Sequence, residues 1–257
     1  MIHIICSLWG KKYSIEYVNR LYSMVNRHLP TEFRFYCQTD ITNGLHHKVE
    51  VLPFLNELPE STPEDMLNSE EFANNLPRLW DRPKLNYFKP DPWGIKGTKI
   101  ALDVDLIIHN DMSDILDMFS DKPITARSWW HNRDREKEPA WKKRFGAHTN
   151  GGFYMWEGNM FENVWKDLKE NAKKIYFIYT GGSDNFLSQR HYNLFDFLQP
   201  GMLYSFNYGC NWPDDLKAYK IREDGIICIF NTTGNVKTNL EIHNAIKMFD
   251  EVKELWV

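Results

Sequence analysis

Residues 99 to 111 read KIALDVDLIIHND. Ile100, Ala101, Leu102, Val104, Leu106, Ile107 and Ile108 form an apolar run that predicts a buried strand, and Asp103 and Asp105 interrupt it. Burying an unpaired carboxylate costs on the order of several kcal/mol, so both acids require either a compensating cation or an exit to solvent. Being two residues apart, they face the same side if the chain stays extended. Two carboxylates on one side make at least half of a site for a hard divalent cation such as Mg²⁺ or Mn²⁺. The simpler alternative is a solvated strand end followed by a turn.

The elements around this stretch decide what kind of strand end it is. IHIICS at residues 2–7 predicts a strand, and Ile15, Val18, Leu21, Tyr22 and Val25 recur at helical spacing until Pro30. FRFYCQTD (33–40) and HKVEVLPF (47–54) predict two further strands. Residues 56–75 are acidic and broken by Pro59 and Pro63, which predicts a surface excursion with one short helix from Pro63. A helix from about Arg82 tolerates Pro83 in its first turn and leads into the strand at Lys99. Downstream come a strand in KPITARSWW, an irregular charged segment at 131–148, a strand in TNGGFYMWEGN and an amphipathic helix through Phe161, Val164, Trp165 and Leu168. GGSDNFLSQRH predicts a helix start with Ser183 or Asp184 as cap; GIICIF predicts a strand, NTTGNVKT a loop, and the last residues a helix. Strands alternating with helices predict an α/β fold with a mostly parallel, doubly wound central sheet flanked by helices, whose ligands sit at the carboxyl ends of the strands. The acid pair is placed at such an end.

Composition narrows the setting. The 257 residues, 42% hydrophobic and 26% charged, are enough for one domain with a full core, and no internal repeat or clean boundary divides them. Net charge is −4, from 31 basic and 35 acidic residues mixed along the chain, which argues against a nucleic acid or anionic membrane partner. Cys6, Cys37, Cys210 and Cys228 form no CxxC pair, and no apolar run approaches the roughly 20 residues of a membrane helix, so a cytoplasmic protein with no membrane span is expected. Aromatics reach 15%, and Trp and Tyr suit flat, partly wet ligand surfaces of the kind sugars present.

Taken together, the N-terminal strand–helix unit, FYCQTD, the helix with RPKL, KIALDVDLII, NGGFYMW, GSDNFLSQ and the late FNTTGNVK resemble the nucleotide-sugar glycosyltransferases of the GT-A fold, nearest the glycogenin and bacterial galactosyltransferase group. The resemblance covers most of the chain. It implies one GT-A-like domain over 1–257, with a nucleotide-binding half at about 1–110 and a sugar and acceptor half at about 111–257. It implies that Asp103, Val104 and Asp105 are the D-x-D motif, with the second acid on the metal and the first on the ribose or the metal. Ser7, Leu8 and Trp9 fall on the first nucleotide-facing loop, Asp40 where the second strand reaches the base, and Lys84 where a cation stands near the donor. Asn150, Gly151 and Gly152 match the segment lining the sugar site, and Asp184 the acid that approaches the transferred sugar. The late loop implies Lys237 on the phosphates and puts Asn231 where a metal-binding His is expected; water or His243 are alternatives for that third ligand. The implied activity is metal-dependent transfer, with Mn²⁺ or Mg²⁺, from a nucleotide-sugar donor, uridine favoured, to a carbohydrate or other hydroxyl acceptor, with retention.

Each residue also has a structural reading: a helix cap for Asp184, surface lysines at Lys84 and Lys237, a turn at Asp40, core or hinge for Trp129, Trp130 and His131. Two other functions compete. A haloacid-dehalogenase-like phosphohydrolase shares the apolar D-x-D strand, but there the motif ends the first strand of its domain, whereas Asp103 follows three earlier strand candidates. A non-catalytic sugar-binding protein on a transferase scaffold is the other, prompted by Asn231.

Overall fold

The computed structural model describes residues 1–55, 57–58, 82–128, 149–179, 182–207, 219–230 and 240–257. The chain opens with β1 (Ile2–Ser7), α1 (Ile15–His28), β2 (Phe33–Gln38) and β3 (Val49–Leu52), continues through a short α2 (Arg82–Leu85), and reaches β4 (Thr98–Leu102) and β5 (Leu106–Ile108). Next come α3 (Ser113–Asp117), β6 (Ile124–Arg127), β7 (Thr149–Trp156), α4 (Glu162–Ile178) and α5 (Ser183–Arg190). The described remainder holds β8 (Asp196–Phe197), β9 (Leu203–Ser205), β10 (Ile227–Ile229), α6 (Ile242–Met248) and α7 (Asp250–Leu255).

Seven strands form the central sheet in the order β3-β2-β1-β4-β7-β6-β8. The pairs β2–β3, β1–β2, β1–β4 and β6–β8 are parallel, while β7 runs antiparallel to both β4 and β6. The mostly parallel α/β sheet expected from the alternation is therefore present. Strand alternation sends Ile4, Cys6, Phe35, Cys37, Ile100 and Leu102 to one face, where they pack on α1 through Val18, Leu21 and Val25. Ile5, Tyr36, Ala101, Tyr154 and Trp156 point to the other face, against Val164, Leu168 and Ile175 of α4.

The apolar run at 99–111 is not one strand. Asp103 N–H still extends the β4–β7 ladder by donating to Gly152 O at 3.1 Å, but the chain turns over Asp103–Asp105 and re-enters as β5. That strand belongs to a second sheet, ordered β5-β10-β9, in which it pairs antiparallel with β10. The physical reason lies in the acids: residues that must reach solvent or a cation end the first strand, and the apolar residues beyond find a separate partner. The two acids are thus brought together by a turn rather than by an extended strand. A second correction concerns α5, whose N-cap is Gly182 at φ +86°, a left-handed conformation that suits glycine; neither Ser183 nor Asp184 caps it. Pro63, residues 131–148, Trp129, Trp130 and His131 lie outside the described residues, and no described helix is long and apolar enough to cross a membrane.

Candidate active site

A cleft of about 370 Å³ opens where five chain segments meet. β1 runs into it and delivers Ser7, Leu8 and Trp9; the turn after β4 delivers Asp103, Val104 and Asp105. Because β7 is antiparallel to β4, its first residues lie beside the carboxyl end of β4, which brings Asn150, Gly151 and Gly152 to the same wall. Lys84 enters from α2 and Asp184 from the first turn of α5. The strand-end placement expected for the acids is what makes these segments converge.

Each acid at the turn has a partner. Lys84 Nζ forms an ion pair with Asp103 Oδ1, with both side chains largely shielded from solvent. Tyr13 donates its hydroxyl proton to Asp105 Oδ2 at 2.5 Å. Burial first, and then the negative charge of Asp105, raise the Tyr13 pKa well above the usual phenol range, so the hydroxyl stays a donor at physiological pH. Lys12 sits over the Tyr13 ring at 4.7 Å and pairs with Glu241 at 3.4 Å.

Asp184 is set by backbone geometry. Thr149 N–H donates to Ser188 Oγ at 3.0 Å, and Thr149 Oγ1 donates to the Asp184 carbonyl at 3.1 Å, tying the start of β7 to the start of α5. A Cβ on Gly151 would stand 2.8 Å from Asp184 Oδ1, so only glycine lets the carboxylate lie against the strand. A Cβ on Gly152 would likewise meet Asn150 Oδ1 at 2.8 Å, the atom that accepts from Gly152 N–H at 2.9 Å.

Of the residues singled out in the sequence, Asp40 is not on the cleft; it is exposed in the turn after β2. Asn231 and Lys237 lie outside the described residues. His243 is in α6, its Nδ1 3.3 Å from Glu241 Oε2, and does not line the cleft. The sequence reading missed Lys12, Tyr13 and Ser183, which do line it. A signal existed for the first two, since the GKKY tetrad follows directly on the Ser7–Trp9 loop.

The donor set bears on a metal. Asp103 and Asp105 are hard oxygen donors on one cleft, yet among the described residues no three His, Cys, Asp or Glu side chains gather as a ligand group. Among the described residues three carboxylates and two lysines line the wall, so a diphosphate entering against them would need a further positive charge. The residues therefore fit a divalent ion held by two protein carboxylates and completed by ligand oxygens and water.

No family model matches the sequence, and neither does any curated protein. Among solved structures, the galactosyltransferase LgtC in complex with donor and acceptor sugar analogues aligns with 98% of this chain and 96% of its own, at a TM-score of 0.54 and 11% identity. The Q189E active-site mutant of LgtC aligns at 0.56, with 11% identity, over 98% of this chain and 95% of its own. The apo glycosyltransferase GlyE of Streptococcus pneumoniae TIGR4 aligns at 0.60 and 13% identity over 99% of this chain, which spans only 60% of GlyE. At such identities the likeness defines the fold: this is a GT-A-fold chain, as its motif order implied.

Proposed function

We propose that the protein is a divalent-cation-dependent glycosyltransferase moving a sugar from a nucleotide-diphosphate donor, a uridine diphosphate sugar foremost, to a hydroxyl of a carbohydrate or other acceptor. The observation that carries this reading is the convergence of Asp103, Asp105, Asp184 and Lys84 on one cleft at the strand ends. Support comes also from LgtC, whose structure with donor and acceptor sugar analogues shares the fold. The whole chain is read as one domain with its nucleotide half before about residue 110 and its acceptor half after it. Cys6, Cys37 and Cys228 are buried free thiols, which suits the cytoplasm.

Asp103 and Asp105 would hold the Mn²⁺ or Mg²⁺ ion. When bound, it neutralises charge developing on the diphosphate leaving group. Lys84 adds a second positive charge beside Asp103, and Lys237, with Asn231, is assigned to the late loop that would close over the phosphates. The bond from the anomeric carbon to the diphosphate breaks with its electron pair going to phosphate, and the acceptor oxygen forms the new bond. In the retaining course, which the glycogenin-like resemblance favours, the acceptor proton passes to the departing phosphate and Asp184 stabilises the positive charge on the sugar. If Asp184 takes the proton as a base, the product is inverted.

Incubation with uridine diphosphate sugars and a panel of sugar acceptors, with Mn²⁺ or with chelator, tests the reading. Metal-dependent donor consumption with an α-linked first product from an α-linked donor is expected. A β-linked product removes retention; phosphate release from phosphomonoesters without donor consumption replaces the transferase with the phosphohydrolase.

A further inference from the structure

Ser7 closes one wall of the cleft at the end of β1, and it is rooted in a buried polar chain that runs to the backbone of Leu55. Asn86, oriented by that backbone, donates to Leu55 O at 3.1 Å and accepts from Leu55 N–H at 3.1 Å. The same Asn86 oxygen accepts from Gln38 Nε2 at 2.5 Å. Gln38 is fully buried, and with its amide nitrogen committed to Asn86 its Oε1 faces Ser7, which donates to it at 3.0 Å. Ser7 Oγ also lies 2.5 Å from the Tyr87 hydroxyl. A serine hydroxyl has one proton and two lone pairs. The proton is spent on Gln38, so Tyr87 must be the donor in the second contact. Burial keeps the Tyr87 phenol protonated, its pKa raised well above the usual range.

Protons along this chain are therefore ordered by a group that cannot reverse, the peptide of Leu55. We infer that Ser7 is a specificity-determining residue that offers the cleft an acceptor and no donor, so the ligand group seated against it carries an N–H or O–H. Resting on the nucleotide-sugar reading, this selects a donor group of the nucleoside: the imide N–H of a uracil-type base or a ribose hydroxyl. A base or analogue presenting only a lone pair there meets Ser7 Oγ oxygen to acceptor, with neither able to supply a proton. A Ser7 free to rotate would accept both kinds of ligand; the Gln38 bond removes that choice.

Calorimetric titration of wild type, Ser7→Ala and Ser7→Cys with uridine diphosphate and its N3-methyl, 2′-deoxy and 3′-deoxy forms, in the presence of Mn²⁺, tests the assignment. Thiols accept weakly, so the cysteine variant keeps the shape while losing the function. The expected result is that wild type binds uridine diphosphate about tenfold tighter than one of the three analogues, which identifies the group involved, and that both variants bind that analogue and uridine diphosphate equally. Losses of the same factor for all four ligands, or wild-type discrimination persisting in both variants, overturn the role of Ser7 while leaving nucleotide binding intact. Failure of wild type to bind any of the four overturns the transferase reading and the Ser7 assignment with it.

Discussion

Asp103 and Asp105 are one turn of chain apart in role as well as position. Asp103 is paired with Lys84 without any ligand, whereas among the described residues the partner of Asp105 is the neutral hydroxyl of Tyr13. Asp105 is therefore the acid with charge left to give a cation, and Asp105→Asn is expected to remove the metal dependence of nucleotide-diphosphate binding more completely than Asp103→Asn, measured as the ratio of affinities with Mn²⁺ and with chelator. Asp184→Asn is expected to leave nucleotide-diphosphate affinity within about twofold and to lower transfer about 10²-fold or more if the carboxylate acts as a base; unchanged turnover would reduce Asp184 to a structural residue. The acids were legible because charge inside an apolar run demands an explanation. Tyr13 and Lys12 left only the GKKY tetrad beside the Ser7–Trp9 loop as a signal, and Ser183 left none as a cleft residue, because the path of the loop between β1 and α1 and the approach of α5 are set by packing that leaves no period in the sequence. Asp40 shows the converse limit: a strand end is necessary for this cleft but does not suffice, since its side chain turns out to solvent.

Two contacts between elements, one at the cleft and one in the small sheet, can be tested separately. Gly151→Ala places a Cβ 2.8 Å from Asp184 Oδ1 and 3.0 Å from the hydroxyl of buried Tyr154, so the Asp184 carboxylate must shift. Its expected cost in stability is about 1–3 kcal/mol, while transfer falls about tenfold or more because the carboxylate is displaced; thermal unfolding and turnover measured on one sample separate the two effects. The small sheet is tied at His109, which follows β5. Arg222 N–H donates to the Tyr204 hydroxyl, whose oxygen lies 3.0 Å from His109 Nε2. Burial is the main cause that lowers the His109 pKa to about 4. The neutral ring is thus the folded form, its contribution is complete above the ordinary value of 6.5, and stability is lost as pH falls from there toward about 4. Denaturant titrations over that window should show a slope up to about 1.4 kcal/mol per pH unit from this group, and His109→Gln should remove that share. An unaltered slope in the variant would mean that other buried histidines carry it. The existence of β4 and of β10 could be read from apolar runs; the transfer of β5 to a second sheet could not, because a strand's partner is a long-range choice and the run itself reads as continuous.

Across the whole molecule, the order of strands and helices along the sequence was enough to anticipate the mostly parallel α/β sheet, and the cleft lies at the strand ends where such sheets place their ligands. The order of strands within the sheet, with β7 inserted antiparallel beside β4, was not, and it is this insertion that carries Asn150–Gly152 to the acids. Among the described residues the resulting cleft is lined by three carboxylates against two lysines, inside a chain of net charge −4. A diphosphate is repelled by such a wall unless a cation accompanies it, and the central claim is that this cation is a divalent metal on Asp103 and Asp105. Calorimetric titration of uridine diphosphate into wild type and Asp105→Asn, each with Mn²⁺ and again with excess chelator, tests that claim most directly. Binding by wild type that disappears with chelator and is absent from Asp105→Asn under both conditions is the expected result; equal binding by wild type with and without metal, or undiminished binding by Asp105→Asn, would contradict it.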